Sequence, residues 1–464
     1  MRSLLSRLAI LLAVLALILL PAILSVEADI RRADASFAAG DYASAAADYG
    51  HAARLYFWRG DLWERAGRAA FAGGNLEEAV RLLESVPALS VEGWTDLGAA
   101  YFQLGRVDES IRVYRRGLDA VGGAPSLYRG LVLAYNAQGD LESERAALAN
   151  YLVFQNDDAA ARYRFGLLQA LDNPDRALDE LAVAAEQDAD YDPAYQTLRT
   201  ALNLASLESD DSKRLVIVGR GLGLVQEWPL AQIAFQRAVE ADGKNAEAWA
   251  WVGEAKQHLG QDGRAELERA EYLAPFNANV RALFGLYWKR LEEYERSLAE
   301  FQWAAILEPE NPHWQAALGE AYALAGQLPP ALEAYQRATA LAPTDASFWR
   351  LLAVFCATYS YQAAEVGLNA AHQVAALAPD NAASYDLLGW LYLSSGLLPE
   401  AETALTRALD MDPNLASAHL RLAQVYMQRD RWEEARAELL LARDLDPGGE
   451  TGTYAAQLLE QYFP

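Results

Sequence analysis

LVIVGRGLGLV (Leu215–Val225) runs four apolar residues into Gly219, Gly221 and Gly223 on alternate positions. Two readings compete. A strand feeding a phosphate-binding loop would make the chain a nucleotide enzyme; a helix unusually rich in glycine would make it a scaffold element. The dinucleotide fingerprint requires a third glycine or an alanine three residues beyond Gly221, where this chain has Leu224. No acidic residue follows a second strand at the distance a ribose contact needs.

The register of the rest of the chain decides between them. Pro275, Pro309 and Pro343 are 34 residues apart, as are Pro379, Pro413 and Pro447; Pro343 to Pro379 is 36, a two-residue insertion. A fixed pattern returns between them. WTDLGAAYFQLGRVDESIRVYRRG carries Trp94, Leu97, Gly98, Tyr101, Gly105, Ser110, Tyr114 and Gly117. Leu318, Gly319, Tyr322, Gly326, Ala331, Tyr335, Ala338 and Pro343 repeat it, and so do Tyr385, Leu388, Gly389, Tyr392, Gly396, Ala401, Leu405, Ala408 and Pro413. Trp94, Leu97 and Tyr101 fall on one helical face. Gly105, Gly326 and Gly396 suit a left-handed residue just past a first helix. Pro229, Pro329 and Pro399, or Glu77, Asp108 and Glu433, suit the first turn of a second helix. Gly219 stands at the same offsets from Ala231, Phe235 and Ala238 as Gly319 does from Ala331, Tyr335 and Ala338. LVIVGRGLGLV is therefore read as a first helix. Its extra glycines, Gly221 and Gly223, cost on the order of 1 kcal/mol each against Ala and call for close packing or local flexibility.

This pattern resembles the tetratricopeptide repeat over nearly all of Glu27–Pro447. The expected fold is all-α, a TPR-like α-solenoid of helix-turn-helix repeats preceded by an N-terminal hydrophobic helix. The resemblance implies a right-handed superhelix whose first helices line a groove for peptides or partner segments. Units fall at 27–57, 60–88, 91–122, 125–156 and 159–190, then at 212–243, 246–275, 278–309, 312–343, 346–379, 382–413 and 416–447. The unit 246–275 is two residues short in its second helix. The organisation expected is an N-terminal segment (1–26), one array (27–190), an irregular helix and hinge (191–211), a second array (212–447) and a capping helix (448–464). Neighbouring units bury the apolar faces that one unit alone leaves open.

The chain has 464 residues, 53% of them apolar, and a net charge of −25. Its only lysines are Lys213, Lys244, Lys256 and Lys289, and its arginines lie among carboxylates. That excludes the clustered cations that phosphate neutralisation needs, so no nucleic-acid partner is expected. Arg2 and Arg7 precede an uncharged run of 19 residues, Leu8–Val26. The run is long enough to cross a bilayer as a helix, with the arginines cytoplasmic and the repeats outside the cytoplasm. The alternative is a signal segment cleaved near Val26-Glu27-Ala28, leaving a secreted chain.

Sites of chemistry are scarce. His51, His258, His313, His372 and His419 lie in different units without metal-ligand spacing. Cys356, the sole cysteine, takes the place of Tyr101 and Tyr322 in their repeats and reads as core. No nucleophile triad, phosphate loop or metal cluster is legible, so no cofactor and no catalysis are expected. The resemblance places groove residues just after the small position of each first helix and three beyond it. Those residues include Phe37, Arg68, Phe71, Phe102, Trp390 and Leu393, with Arg220, Gly223, Glu254 and Ala323 in the same series. Phe37, Phe71 and Phe102 come from three successive units and form either an aromatic stripe or part of the core. The function expected is a membrane-anchored, non-catalytic scaffold for protein or peptide partners. A glycan- or ligand-binding module, or a regulatory subunit of an envelope enzyme, is the alternative.

Overall fold

A computed structural model describes residues 25–463, and all regular structure among them is helical. The chain forms two compact units. The first takes residues up to Asp210 together with Ile217–Ala231; the second takes Asp211–Val216 and everything from Gln232.

Antiparallel helix pairs build the first unit. They are α1 (25–38) with α2 (Tyr42–Leu55), α3 (Gly60–Ala72) with α4 (Leu76–Glu84), and α5 (Val91–Gln103) with α6 (Val107–Val121). Then come α7 (Pro125–Gln138) with α8 (Leu141–Phe154), and α9 (Ala159–Ala170) with α10 (Pro174–Gln187). An added helix, α11 (Asp192–Ser206), packs on α10. Helices α12 (Asp211–Leu224) and α13 (Trp228–Ala241) contribute residues to both units. The second unit continues with α14 (Ala246–His258) and α15 (Arg264–Leu273), α16 (Ala278–Arg290) and α17 (Tyr294–Leu307), and α18 (Pro312–Leu324) and α19 (Leu328–Leu341). It closes with α20 (Ala346–Thr358) and α21 (Leu368–Leu377), α22 (Ala382–Ser394) and α23 (Leu398–Met411), α24 (Ala416–Gln428) and α25 (Trp432–Leu445), and α26 (Glu450–Tyr462).

One contact recurs inside the pairs. The glycine on a first helix faces a large side chain sixteen residues on. A Cβ on Gly67 would lie 2.6 Å from Leu83, on Gly285 2.9 Å from Phe301, on Gly319 2.9 Å from Tyr335 and on Gly389 2.5 Å from Leu405. On Gly98 it would lie 2.4 Å from the Tyr114 ring, which Gly130 flanks from the next unit. In the short unit the spacing drops to fourteen, Gly253 to Leu267, and the backbones of Gly253 and Gly263 touch. Ser110 and Ser297, twelve residues past their glycines, donate buried hydroxyls to the Gly98 and Gly285 carbonyls at 2.8 and 2.9 Å.

The same logic accounts for LVIVGRGLGLV, which is helical within α12. A Cβ on Gly221 would lie 2.5 Å from the Ala201 methyl of α11, and one on Gly223 would lie 3.0 Å from the Trp228 ring. Close packing, rather than flexibility, is what these two glycines serve.

Helix ends follow local sterics. Gly105, Gly326 and Gly396 have φ of +73°, +74° and +74°. At the same place in other repeats Gln226, Glu292, Ser360 and Asp430 are left-handed without being glycine, at roughly 1–2 kcal/mol each. Second helices stop two residues before the repeating proline, at Leu273, Leu307, Leu341, Leu377, Met411 and Leu445. The residue between is pushed out of helical geometry by the proline ring; Ala342, for example, has φ −134° and ψ 66°. Two residues after the proline, Asn277, Asn311, Asp345 and Asn381 cap the following first helix through their side chains. The insertion before Pro379 is absorbed where Ser360 and Gln362 turn left-handed and a π-helical turn, Ala363–Gly367, precedes α21. Gly367 packs so closely there that a Cβ would lie 2.8 Å from that of Cys356. Cys356 is wholly buried, and burial pushes its thiol up to about 11.

At the ends, Val26 and Ile30 of α1 bury against Ala52, Ala53 and Leu62. Ala455 and Leu458 of α26 cover Ala423, Leu439 and Ala442. The expected anchor Leu8–Val26 lies, apart from its last two residues, outside the described residues. Among the described residues no helix is long and apolar enough to cross a membrane.

His419 closes a helix start in the same region. Its Nε2 donates to the Pro413 carbonyl at 3.0 Å and its Nδ1 to Glu438 at 2.5 Å. Two acceptors favour the imidazolium, and the Glu438 hydrogen bond holds the pKa above the ordinary histidine value.

Four outcomes are expected. Gly98→Ala, despite a helix-propensity gain of about 1 kcal/mol, lowers unfolding free energy by about 1–3 kcal/mol in urea melts. Gly50→Ala, whose Cβ meets nothing closer than 4.0 Å, is neutral or stabilising. Native Cys356 resists maleimide until the protein is denatured. Finally, His419→Gln costs most below the unfolded histidine pKa of about 6.5, and the difference from wild type shrinks as pH rises through the raised folded value, measured by denaturation at stepped pH.

Candidate functional site

Helix pairing buries one side of each first helix and leaves another side for contact. Charge pairs stitch these sides together between consecutive units. Arg65 of α3 meets Asp34 of α1 at 3.2 Å, and Arg68 meets Asp96 of α5 at 3.0 Å. In the second unit Arg290 of α16 meets Glu254 of α14 at 2.8 Å, Lys289 meets Glu320 of α18 at 2.9 Å, and Arg421 of α24 holds Asp386 of α22. Pairs this exposed are worth about 0–1 kcal/mol, except where the acid is buried, as with Glu254 and Asp386. Their larger effect is to spend cations and carboxylates on one another along the face.

The first unit has a depression of about 300 Å³ lined by Asp34, Phe37, Tyr49, Arg65 and Arg68. Two residues expected from the sequence, Phe37 and Arg68, meet there. Phe37 is 36% exposed and rests edge-on against Tyr42 at 5.2 Å. The Tyr49 hydroxyl donates to Asp34, and burial with this bond pushes it up to about 12. Burial also raises the Asp96 carboxyl above its ordinary range although Arg68 faces it. Phe71 and Phe102 are half-buried against the core around Trp94 and Tyr101. Among the described residues no ring contact joins Phe37, Phe71 and Phe102.

In the second unit a cleft of about 440 Å³ opens between α18 and α20. Ala323 forms part of its floor; Phe348, Leu351 and Phe355 wall it, and His313 and Glu320 stand at its edge. Leu351 is 43% exposed. Trp390 and Leu393 lie further along, half-buried, with the Arg421 guanidinium 4.5 Å over the Trp390 ring.

Other members of the expected series are not open surface. Glu254 is 4% exposed because Arg290 and His258 close on its carboxylate. Ala323 is buried to 5%, and the Trp228 ring covers Gly223. A fixed offset from the small position ignores the size of what the neighbouring helix presents. The cleft itself was missed for the same reason. Its signal was small residues on one first helix, Ala316, Ala317 and Ala323, opposite Leu351 and Phe355 on the next.

A family model described as tetratricopeptide repeat matches residues 95–160, 284–346, 362–414 and 387–450. The Protein CTR9 homolog of Arabidopsis thaliana is 25% identical over 302 residues, 61% of this chain and 26% of that protein. Superkiller protein 3 of Schizosaccharomyces pombe is 22% identical over 356 residues, 77% of this chain and 21% of that protein. The chain thus spans about a quarter of the length of the curated relatives it matches. Among solved structures, the APC/C hetero-tetramer Cut9–Hcn1 is similar with a TM-score of 0.40 at 14% identity, covering 93% of this chain and 95% of that one. Yeast Tom70 is similar with a TM-score of 0.33 at 16% identity, covering 80% and 95%. The paired helices, their glycine contacts and the matching model agree: the stretches 95–160, 284–346 and 362–450 of this chain are tetratricopeptide repeats.

Proposed function

We propose that the chain is a non-catalytic scaffold, anchored in a membrane by Leu8–Val26, that holds segments of partner proteins on the open sides of its first helices. The cleft between α18 and α20 carries the proposal. It has the size and the apolar walls to take a large aliphatic or aromatic side chain, and its edge offers Glu320 and His313 to the polar backbone and neighbours of that side chain. The depression at Phe37 and Arg68 supplies a second, more polar contact of the same kind. Two residues capable of chemistry have structural work: His419 caps a helix start with Glu438, and Cys356 is core. The uncharged run after Arg2 and Arg7 supports the anchor, with the repeats on the far side of the membrane from those arginines.

The test is copurification with the full-length chain after cross-linking in its native membranes. Leu351→Asp places a charge where an apolar side chain would seat, and it lowers capture of the partner about tenfold or more, since burying such a side chain is worth about 1.5–3 kcal/mol. Phe37→Ala with Arg68→Ala tests the depression of the first unit in parallel. A full partner yield from folded Leu351→Asp protein contradicts the cleft reading. Protease protection of a C-terminal tag in sealed membranes reports anchor and orientation together.

A further inference from the structure

The end of α2 and the turn to α3 carry Leu55, Tyr56, Phe57 and Trp58 in succession, bracketed by Arg54 and Arg59. Phe57 is 75% exposed and Trp58 65%. Adjacent rings of this size left in water mark contact with something apolar. The turn is firmly built. The Tyr56 amide donates to the Ala52 carbonyl at 2.9 Å and the Arg59 amide to the Tyr56 carbonyl at 2.8 Å. Trp58 packs on Tyr56 at 5.1 Å and on Phe57 at 5.2 Å between ring centres. Their exposure is therefore held in place by the fold.

Position says what they meet. Tyr56 packs on the cluster that buries Val26 and Ile30 of α1. Val26 is the last residue of the uncharged run, so the turn stands beside the point where that run enters the first unit. Arg59 is hydrogen-bonded to Asp61 at 2.7 Å, and that bond, with a smaller contribution from Glu27, raises its pKa above the ordinary value. Tryptophan and tyrosine rings favour the headgroup level of a bilayer, where an apolar body and a polar tip are both satisfied, and a flanking cation such as Arg54 reaches phosphates there, while Arg59 is held by Asp61. We propose that the turn Leu55–Trp58 lies in the headgroup layer of a bilayer and seats the first helix pair against the membrane surface. This rests on the anchored reading above.

Because Cys356 is buried, Phe57→Cys can be labelled alone with an environment-sensitive fluorophore. The labelled full-length chain is reconstituted into vesicles of phosphatidylethanolamine and phosphatidylglycerol containing spin-labelled lipid. Val153→Cys on α8, a site 76% exposed, serves as the control. Expected is flotation with the vesicles, a blue shift at position 57, and quenching there strongest from spin labels near the headgroup, with position 153 unchanged. A chain that floats while position 57 emits as in water overturns the proposal and leaves the anchor standing. A chain that stays with the soluble fraction removes both. Tryptophan quenching by brominated lipid gives a second measurement: it falls in Trp58→Phe relative to wild type, and equal quenching overturns the proposal.

Discussion

Close approach of two helices at a glycine is the constraint on which the rest depends. Gly98 leaves the room that the Tyr114 ring fills, and Gly130 of the next unit flanks the same ring. One side chain thereby ties a helix to its partner and to the following repeat. Gly285 with Phe301 and Gly319 with Tyr335 do the same within their pairs. The separation of sixteen residues fixes the turn between the helices, and with it the left-handed residue at Gly105, Gly326 or Gly396. Where the second helix is short, the contact shifts to Leu267 and the backbones close up at Gly253 and Gly263. With so much apolar surface buried inside pairs and between them, the open sides of the first helices remain for binding.

The repeat was legible because it rests on residue types that sterics restrict. Glycine in a left-handed turn, proline after a helix and a small residue opposite a ring each leave a mark at a fixed position. Register alone placed LVIVGRGLGLV in a helix. What the sequence did not settle was why Gly221 and Gly223 are there. Their neighbours are Ala201, on the added helix α11, and Trp228, and nothing local to the stretch announces either contact. The Pro-x-Asn or Pro-x-Asp cap in four repeats is a further local signal of a helix start.

The candidate site was less legible, because openness depends on pairs of side chains from different repeats. Phe37 and Arg68 do share a depression. Glu254 does not stay open, since Arg290 lies thirty-six residues away in sequence and one helix away in space. The cleft at Leu351 arises from a mismatch of sizes across two units that otherwise follow the same pattern. Repetition predicts the frame; departures from repetition produce the cleft and the depression. Pairing of charges between first helices neutralises cations and carboxylates along this face despite a net charge of −25.

A double-mutant cycle on Gly98 and Tyr114 tests the central claim most directly. Urea unfolding of the wild type, Gly98→Ala, Tyr114→Leu and the combined variant gives the coupling between the two sites. If the ring and the missing Cβ compete for one space, the alanine is tolerated far better once the ring is gone, with a coupling of about 1 kcal/mol or more. Strictly additive losses would contradict the account.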